Sequence, residues 1–402
     1  MKARRSTALR TLVLATAAVA ASLGLFECGL RVAGISYPSF YQRDAHTGTA
    51  LRPGAEGMSR GEGGAFVRIN RQGRRDEERA FEKPADVVRV AVLGDSFALA
   101  RQVPLEQTFG SVLERLLPDC PGLSGRRVEV LNFGVSGYGT AQELQTLRHR
   151  VWPYDPDLVL LAVTTGNDLR DNSRALSGVA NRPYFRLEGS ELVLDTSFRD
   201  LPSHRVRSSP LARAAYFMIH HSRVVQVINE ALNVRKRRSW MRQRSTPGRL
   251  EGFAYGLDHE IYAPPRTAEW SEAWRVTEAL IARMDEEVRE RGARLLVVTL
   301  SNPIQVHPDP ETRARFRAAL GVADLFYPDR RIEALGERKG FPVLNLAPIL
   351  QRAAEPRGLY VHGFENTELG AGHWNATGHA LAGEQIARFA CDAFSPRDPA
   401  AN

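Results

Sequence analysis

Lysine is almost missing from this sequence. Lys2, Lys83, Lys236 and Lys339 are the only four, so the basic side of a chain with 54 Lys and Arg against 46 Asp and Glu is carried by arginine. Those arginines are spread along the chain and mostly interleaved with acids, the pattern of a solvated surface, which argues against a nucleic-acid stripe. The one dense cluster, Arg235-Lys236-Arg237-Arg238 followed by Trp240, Arg242 and Arg244, reads as a solvated helix end in a surface insertion. Contact with lipid phosphate or an acidic glycan is its second reading. Metal-ligand spacing is also lacking: adjacent His220 and His221 cannot point both rings one way along a helix, so neither metal nor cofactor is expected. There is no internal repeat, and no Gly-rich turn ends in the Lys-Ser/Thr of a phosphate loop. Disorder in bulk is excluded by a hydrophobic share of 43% and a charged share of 25%, and 402 residues suffice for one α/β domain with a long insertion.

A full bilayer-length apolar run is absent as well, since Leu12 to Phe26 falls short of the ~20 residues that span a membrane. It follows Lys2, Arg4, Arg5 and Arg10, the charge-then-apolar order of an export segment. Ala18-Val19-Ala20 resembles a cleavage site, which leaves secretion after cleavage as the alternative. The apolar pattern nevertheless continues through Leu30, Val32 and Ile35, with Glu27 and Arg31 four apart and able to pair on a helix. The expectation is a basic cytoplasmic segment over 1–10, an uncleaved transmembrane helix over 11–32, and the rest outside the cytoplasm. Cys28 is expected as an ordinary membrane-embedded thiol.

Residues 33–84, rich in Gly and Arg with weak periodicity, read as a linker with one strand around Phe66 to Ile69. A strand-helix alternation then begins. Strands are expected over Val87–Leu93, Arg127–Phe133, Leu158–Thr164, Arg294–Leu300 and Phe341–Leu346. Helices are expected over Leu105–Leu117, Thr140–Val151, Glu269–Arg291, Pro310–Leu320, Asp329–Arg338 and Ala376–Phe394. Five strands alternating with helices imply an α/β fold: a three-layer α/β/α sandwich around a parallel sheet, over residues 85–395 and followed by a tail at 396–402. Residues from about 172 to 266 break the rhythm as an insertion, with a hairpin through Pro183–Leu187 and Leu192–Leu194 and a helix over Leu211–Leu232.

Four elements fall at strand ends or before the last helix, where open parallel sheets bind ligands. Ser96 of Gly94-Asp95-Ser96-Phe97 follows the first strand, where N–H groups at a helix start face developing negative charge. The Gly-rich turn Asn132-Phe133-Gly134-Val135-Ser136-Gly137 follows the second strand and frees its backbone for close approach to a ligand. Gly166-Asn167-Asp168 follows the third, and the Asn167 amide is an uncharged donor. His373 of Gly372-His373-Trp374-Asn375 can take and return a serine proton. Read singly, each is equally a turn, a cap or a structural histidine; His307 and His362 are read as surface or structural. Their order, Ser, Gly, Asn, His, resembles the SGNH or GDSL-like hydrolase superfamily from about Val87 to Ala390, outside the insertion.

The resemblance implies a flavodoxin-like sandwich of the SGNH type and an acyl-enzyme mechanism. Ser96 would be the nucleophile and His373 the base, with the N–H groups of Ser96 and Gly134 and the Asn167 side chain as oxyanion hole. Asp95, Trp374 and Asn375 would support them. A His-Trp-Asn also resembles that of alginate O-acetyltransferase-like proteins, so an esterase on O-acyl groups of envelope glycans or lipids and an O-acyltransferase are both open. One member of the pattern is missing: where the family places Asp before the histidine, this chain has Gly370 and Ala371. Either a Ser-His dyad operates, or Glu368 or Glu365 reaches the ring, or the protein only binds its ligand. In such a doubly wound chain the first and last helices lie on one side, so a Cys120–Cys391 disulfide is geometrically open in an oxidising compartment.

Overall fold

The computed structural model describes residues 2–207, 209–244 and 259–394. At its centre is a parallel sheet of five strands, named here β1 (Val87–Gly94), β2 (Arg127–Asn132), β3 (Leu158–Val163), β4 (Arg294–Thr299) and β5 (Val343–Asn345). Their spatial order is β2-β1-β3-β4-β5, so the chain reverses its direction of travel between β1 and β3. Side chains alternate across each strand. Val88, Val90 and Val92 of β1 therefore join one apolar cluster with the Phe109–Leu116, Leu346–Ala354 and Ala376–Phe394 helices, while Ala91 and Leu93 join another with the Thr140–Thr146, Ala268–Glu290 and Tyr327–Lys339 helices. A strand covered on both faces has no polar side, which is why β1 and β3 read as continuous apolar runs.

Side-chain caps set several helix starts. Thr108 accepts from the Ser111 N–H and Thr267 from the Trp270 N–H, both at 3.3 Å, so the first crossover helix begins at Phe109, four residues after the Leu105 expected from periodicity. The helix Leu346–Ala354 was not foreseen. The expected helix over Leu211–Leu232 is two helices, Pro210–His221 and Arg223–Arg244, parted at Ser222. Its break is held from outside, because the Glu27 carboxylate accepts from the Ser222 hydroxyl and the N–H groups of Arg223 and Val224, each at 3.0 Å. The insertion hairpin is present as Tyr184–Glu188 and Glu191–Asp195, whereas the Gly- and Pro-containing stretch after the basic cluster lies outside the described residues. Arg10–Val32, within the helix Lys2–Val32, is long and apolar enough to cross a membrane.

The stretch read as a linker is built differently. Two short antiparallel hairpins, Tyr41–Asp44 with Gly48–Leu51 and Glu56–Ser59 with Ala65–Arg68, sit on the carboxyl edge of the sheet. Leu51, Val67 and Ile69 from them are buried with Leu99, Val135 and Tyr138, which follow β1 and β2. The expected strand around Phe66 to Ile69 is Ala65–Arg68, whereas the other three four-residue strands carry too little periodicity to be seen and owe their order to this long-range packing. Arginine fastens the rest. All five donors of buried Arg89, on β1, are engaged: Nε with Glu129, Nη1 with the Phe81 and Tyr154 carbonyls, and Nη2 with those of Ala80 and Glu82.

Cys120 and Cys391 form a disulfide between the turn after the first crossover helix and the end of the last helix. It closes a loop of 271 residues, for which chain entropy allows about 5.6 kcal/mol of stabilisation. Reduction, or Cys120→Ser with Cys391→Ser, is expected to lower the thermal midpoint by several degrees. An unchanged midpoint in a calorimetric comparison with and without reductant would refute this.

Candidate active site

β1 stops at Gly94, and Asp95 begins the one-turn helix Ser96–Leu99 by accepting from the Phe97 N–H at 2.9 Å. The other Asp95 oxygen accepts from the Asn167 side-chain amide at 3.0 Å, tying the turn after β1 to the turn after β3. Ala100 ends the helix in the left-handed region, with φ 52°, a strain of roughly 1–2 kcal/mol for a residue with a Cβ. The buried Arg75 guanidinium opposes it by donating to the Leu99 and Ala100 carbonyls. Gly134 comes so close to this helix that a Cβ there would lie 2.5 Å from the Ala98 methyl. The glycine is required by that approach.

His373 faces Ser96, with Nε2 and Oγ 2.8 Å apart. Its Nδ1 lies 2.5 Å from Glu62 Oε2, and its backbone N–H donates to Glu62 Oε1 at 2.6 Å. One carboxylate thus holds both the ring and the backbone of the histidine. With the ring proton on the Nδ1 side, Nε2 is left to accept from the Ser96 hydroxyl. Burial alone would raise the Glu62 carboxyl, but the ring hydrogen bond, the His373 charge and the backbone hydrogen bond together hold it below the usual carboxylate range.

The carboxylate at the ring is therefore neither Glu368 nor Glu365, both of which are exposed in the loop before His373. Glu62 comes from the turn between the second pair of hairpin strands, 311 positions away in sequence. Its turn is locked to the His373 loop: the Asn366 amide accepts from the Gly63 N–H at 3.0 Å and donates to the Gly63 carbonyl at 2.6 Å. Gly372 has φ +69°, and a Cβ there would collide with Glu62 Oε1.

The neighbours of His373 act as its frame. Trp374 is buried and donates from Nε1 to Ser301 Oγ at 2.8 Å. Ser301 reaches His362 Nε2 at 3.0 Å, and His362 Nδ1 reaches the Gly372 carbonyl at 2.7 Å. Asn375 donates to the Tyr360 carbonyl at 2.8 Å and accepts from the Gly378 N–H at 3.0 Å. Phe97 touches both rings, 4.9 Å from His373 and 5.2 Å from Trp374 between centroids. His307 stands apart, against Tyr360 and Gly370.

Of the expected oxyanion donors, Asn167 spends one amide hydrogen on Asp95 and keeps a second. The Gly134 N–H donates to Asn132 Oδ1 at 2.8 Å, so it reaches an oxyanion only by sharing or shifting that bond. Behind the turn lie two fully buried acids, Asp168 of the third sequence element and Glu143, which sequence reasoning passed over. Burial, and then the neighbouring carboxyl groups, push both well above the usual range. Glu143 has no hydrogen-bond partner among the described residues, which favours its protonated form.

A cleft of about 710 Å³ opens on His373 and Glu62. Its walls are largely polar, with Arg60, Arg101 and Gln102 on one side and Asn229, Glu230 and Asn233 of the insertion on the other.

Two histidines of this region titrate outside the usual range, and burial pushes His362 and His379 each down to about 3. Unfolded histidine binds its proton near 6.5, so between these values the unfolded chain takes up protons that the folded chain refuses. Stability from this source is complete above about pH 6.5 and falls as the pH is lowered toward 3, by roughly 1.4 kcal/mol per pH unit for each histidine. His379→Gln is expected to remove that much of the slope between about pH 4 and 6. Denaturant midpoints against pH for both proteins check it, and identical slopes would refute it.

No protein-family model matches the chain. It is similar to an arylesterase of Vibrio mimicus, 35% identical over 82 residues, which is 20% of this chain and spans 39% of that relative. Among solved structures, the acetyl xylan esterase AlAXEase aligns at 11% identity over 74% of this chain and 98% of that chain, with a TM-score of 0.37. The structure of TesA aligns at 13% identity over 75% of this chain and 99% of that chain, with a TM-score of 0.34. The chain thus spans about two fifths of the length of the curated relative it resembles. In the structure itself the four elements converge, in their order, at the carboxyl edge of β1, β2 and β3.

Proposed function

We propose that this protein is a serine esterase acting on O-acyl groups of envelope glycans or lipids, anchored by its N-terminal helix outside the cytoplasm. The observation that carries the reading is the line Ser96 Oγ, His373 ring, Glu62 carboxylate, at 2.8 and 2.5 Å. In the first step Ser96 Oγ bonds to the ester carbonyl carbon, and its proton passes to His373 Nε2. Negative charge then gathers on the former carbonyl oxygen, where the Ser96 N–H and the second Asn167 amide hydrogen stabilise it. Collapse expels the alcohol, which takes the proton from His373 and leaves Ser96 acylated. Water repeats the sequence, giving the acid and free serine. Throughout, Glu62 keeps the ring in the tautomer that accepts at Nε2 and balances the imidazolium.

Glu62 supplies the acid whose lack at Gly370 and Ala371 supported a purely binding role. A fluorophosphonate is expected to label Ser96 in the folded protein and not in a Ser96→Ala variant. Absence of labelling on well-folded wild type would sink the proposal. Transfer to a sugar hydroxyl is the second reading, favoured by the hydrogen-bonding walls of the cleft. Product analysis with acyl donor and glycan separates the two, because hydrolysis releases free acid whether or not acceptor is present.

A further inference from the structure

Two helices of the insertion leave apolar side chains uncovered beside the N-terminal helix. Pro210–His221 contains no acid and exposes Leu211, Tyr216, Phe217 and Met218, Leu211 by 82%. Arg223–Arg244 adds exposed Ile228 and Leu232. Large apolar side chains exposed in this number on two adjoining helices mark an interaction site. Its position identifies the partner, because these helices are fastened to the end of the segment that is long and apolar enough to cross a membrane. Glu27 of that segment caps Arg223–Arg244, and Arg31 donates to the His221 carbonyl at 2.6 Å. The apolar side chains therefore begin where the N-terminal helix leaves the bilayer.

Charge gives an independent argument for the same partner. In sequence, Arg223–Arg244 ends with Arg235, Lys236, Arg237, Arg238, Trp240, Arg242 and Arg244. Apolar side chains, an aromatic and a run of cations on one helix are the composition of an interfacial helix on anionic lipid.

We propose that the two insertion helices lie in the headgroup layer of an anionic phospholipid membrane, and that they hold the cleft at His373 at that level. This rests on reading the N-terminal helix as a membrane span. Asn229, Glu230 and Asn233 on the second of these helices, and Tyr37 and Tyr41 just beyond the span, line the cleft. Its mouth then opens at the membrane surface, and the ester it takes is one presented there rather than one arriving from bulk solution.

The test uses the full chain in vesicles, with Phe217→Cys in a Cys28→Ser background carrying an environment-sensitive fluorophore. Glu290→Cys, exposed at the far end of Ala268–Glu290, is the control. The label at 217 is expected to shift to the blue in vesicles containing phosphatidylglycerol, to be quenched by headgroup nitroxide lipid, and to resist iodide. Purely zwitterionic vesicles should weaken all three effects, and the label at 290 should stay accessible to iodide. A label at 217 open to iodide in protein that resists carbonate extraction overturns the docking while the span stands. Protein stripped by carbonate refutes the span, and an iodide-open label in that protein removes the docking with it. Shielding without nitroxide quenching, accompanied by cross-linked dimers, assigns the surface to a second copy and also overturns the proposal.

Discussion

Glu62→Gln is expected to lower turnover of an acetyl ester about 10⁴-fold, with KM and the thermal midpoint little changed. Glutamine offers one acceptor and one donor where the carboxylate offers two acceptors. If its oxygen stays on the His373 N–H, its amide donates to Nδ1, the ring proton moves to Nε2, and the Ser96 hydroxyl loses its acceptor. If it turns over, its amide opposes the His373 N–H, and the loop that carries the ring is pushed away. Either way the proton path fails, and the loss corresponds to about 5.5 kcal/mol of transition-state stabilisation. Glu62→Asp keeps the charge but falls a methylene short, so it should recover part of the activity. Glu365→Gln and Glu368→Gln, in the exposed loop, should stay within a factor of about two of wild type. Steady-state kinetics on the four variants decides the matter, and a Glu62→Gln enzyme within tenfold of wild type would remove Glu62 from the mechanism.

That Glu62 escaped sequence reading, while the five sheet strands did not, has a physical cause. β1 and β3 are buried on both faces, so their apolar runs are written locally, and each strand end then locates Ser96 or Asn167 without knowledge of the fold. Glu62 has no such local mark. It stands in a polar turn between four-residue strands and gains its meaning from Gly372 and His373, more than 300 positions on. Ala371 and Gly370 made the absence of a near acid visible, and the neighbouring Gly372 leaves the space that a distant one, Glu62, fills. The break at Ser222 was equally hidden, because its cap is Glu27, nearly two hundred residues upstream. The disulfide partners were legible as a possibility through topology alone. The spread of arginines among acids was legible as a solvated surface but gave no sign of the inner ones, since Arg75 and Arg89 are buried and bind backbone carbonyls that a single ammonium could not span.

Ser96→Ala and His373→Ala are each expected to cost about 10⁶ in turnover, and the double variant should be no worse than either. The two side chains make one proton path, so removing one leaves the other nothing to do. A protein in which the site only binds would behave otherwise, with equal turnover of the ester by wild type and by each variant. The residual rate is informative too. Donors at Ser96 N–H and Asn167 still face a carbonyl oxygen in the double variant, and they should keep hydrolysis by water above background by about 10³-fold. Asn167→Ala in that background should then remove most of the remainder, although it also frees Asp95 from its 3.0 Å tie. Asn167→Asp separates these effects: it removes the amide donor and sets a second acid against Asp95. Its residual rate should fall at least as far as that of Asn167→Ala, because a carboxylate at 167 repels the oxyanion that the amide would hold.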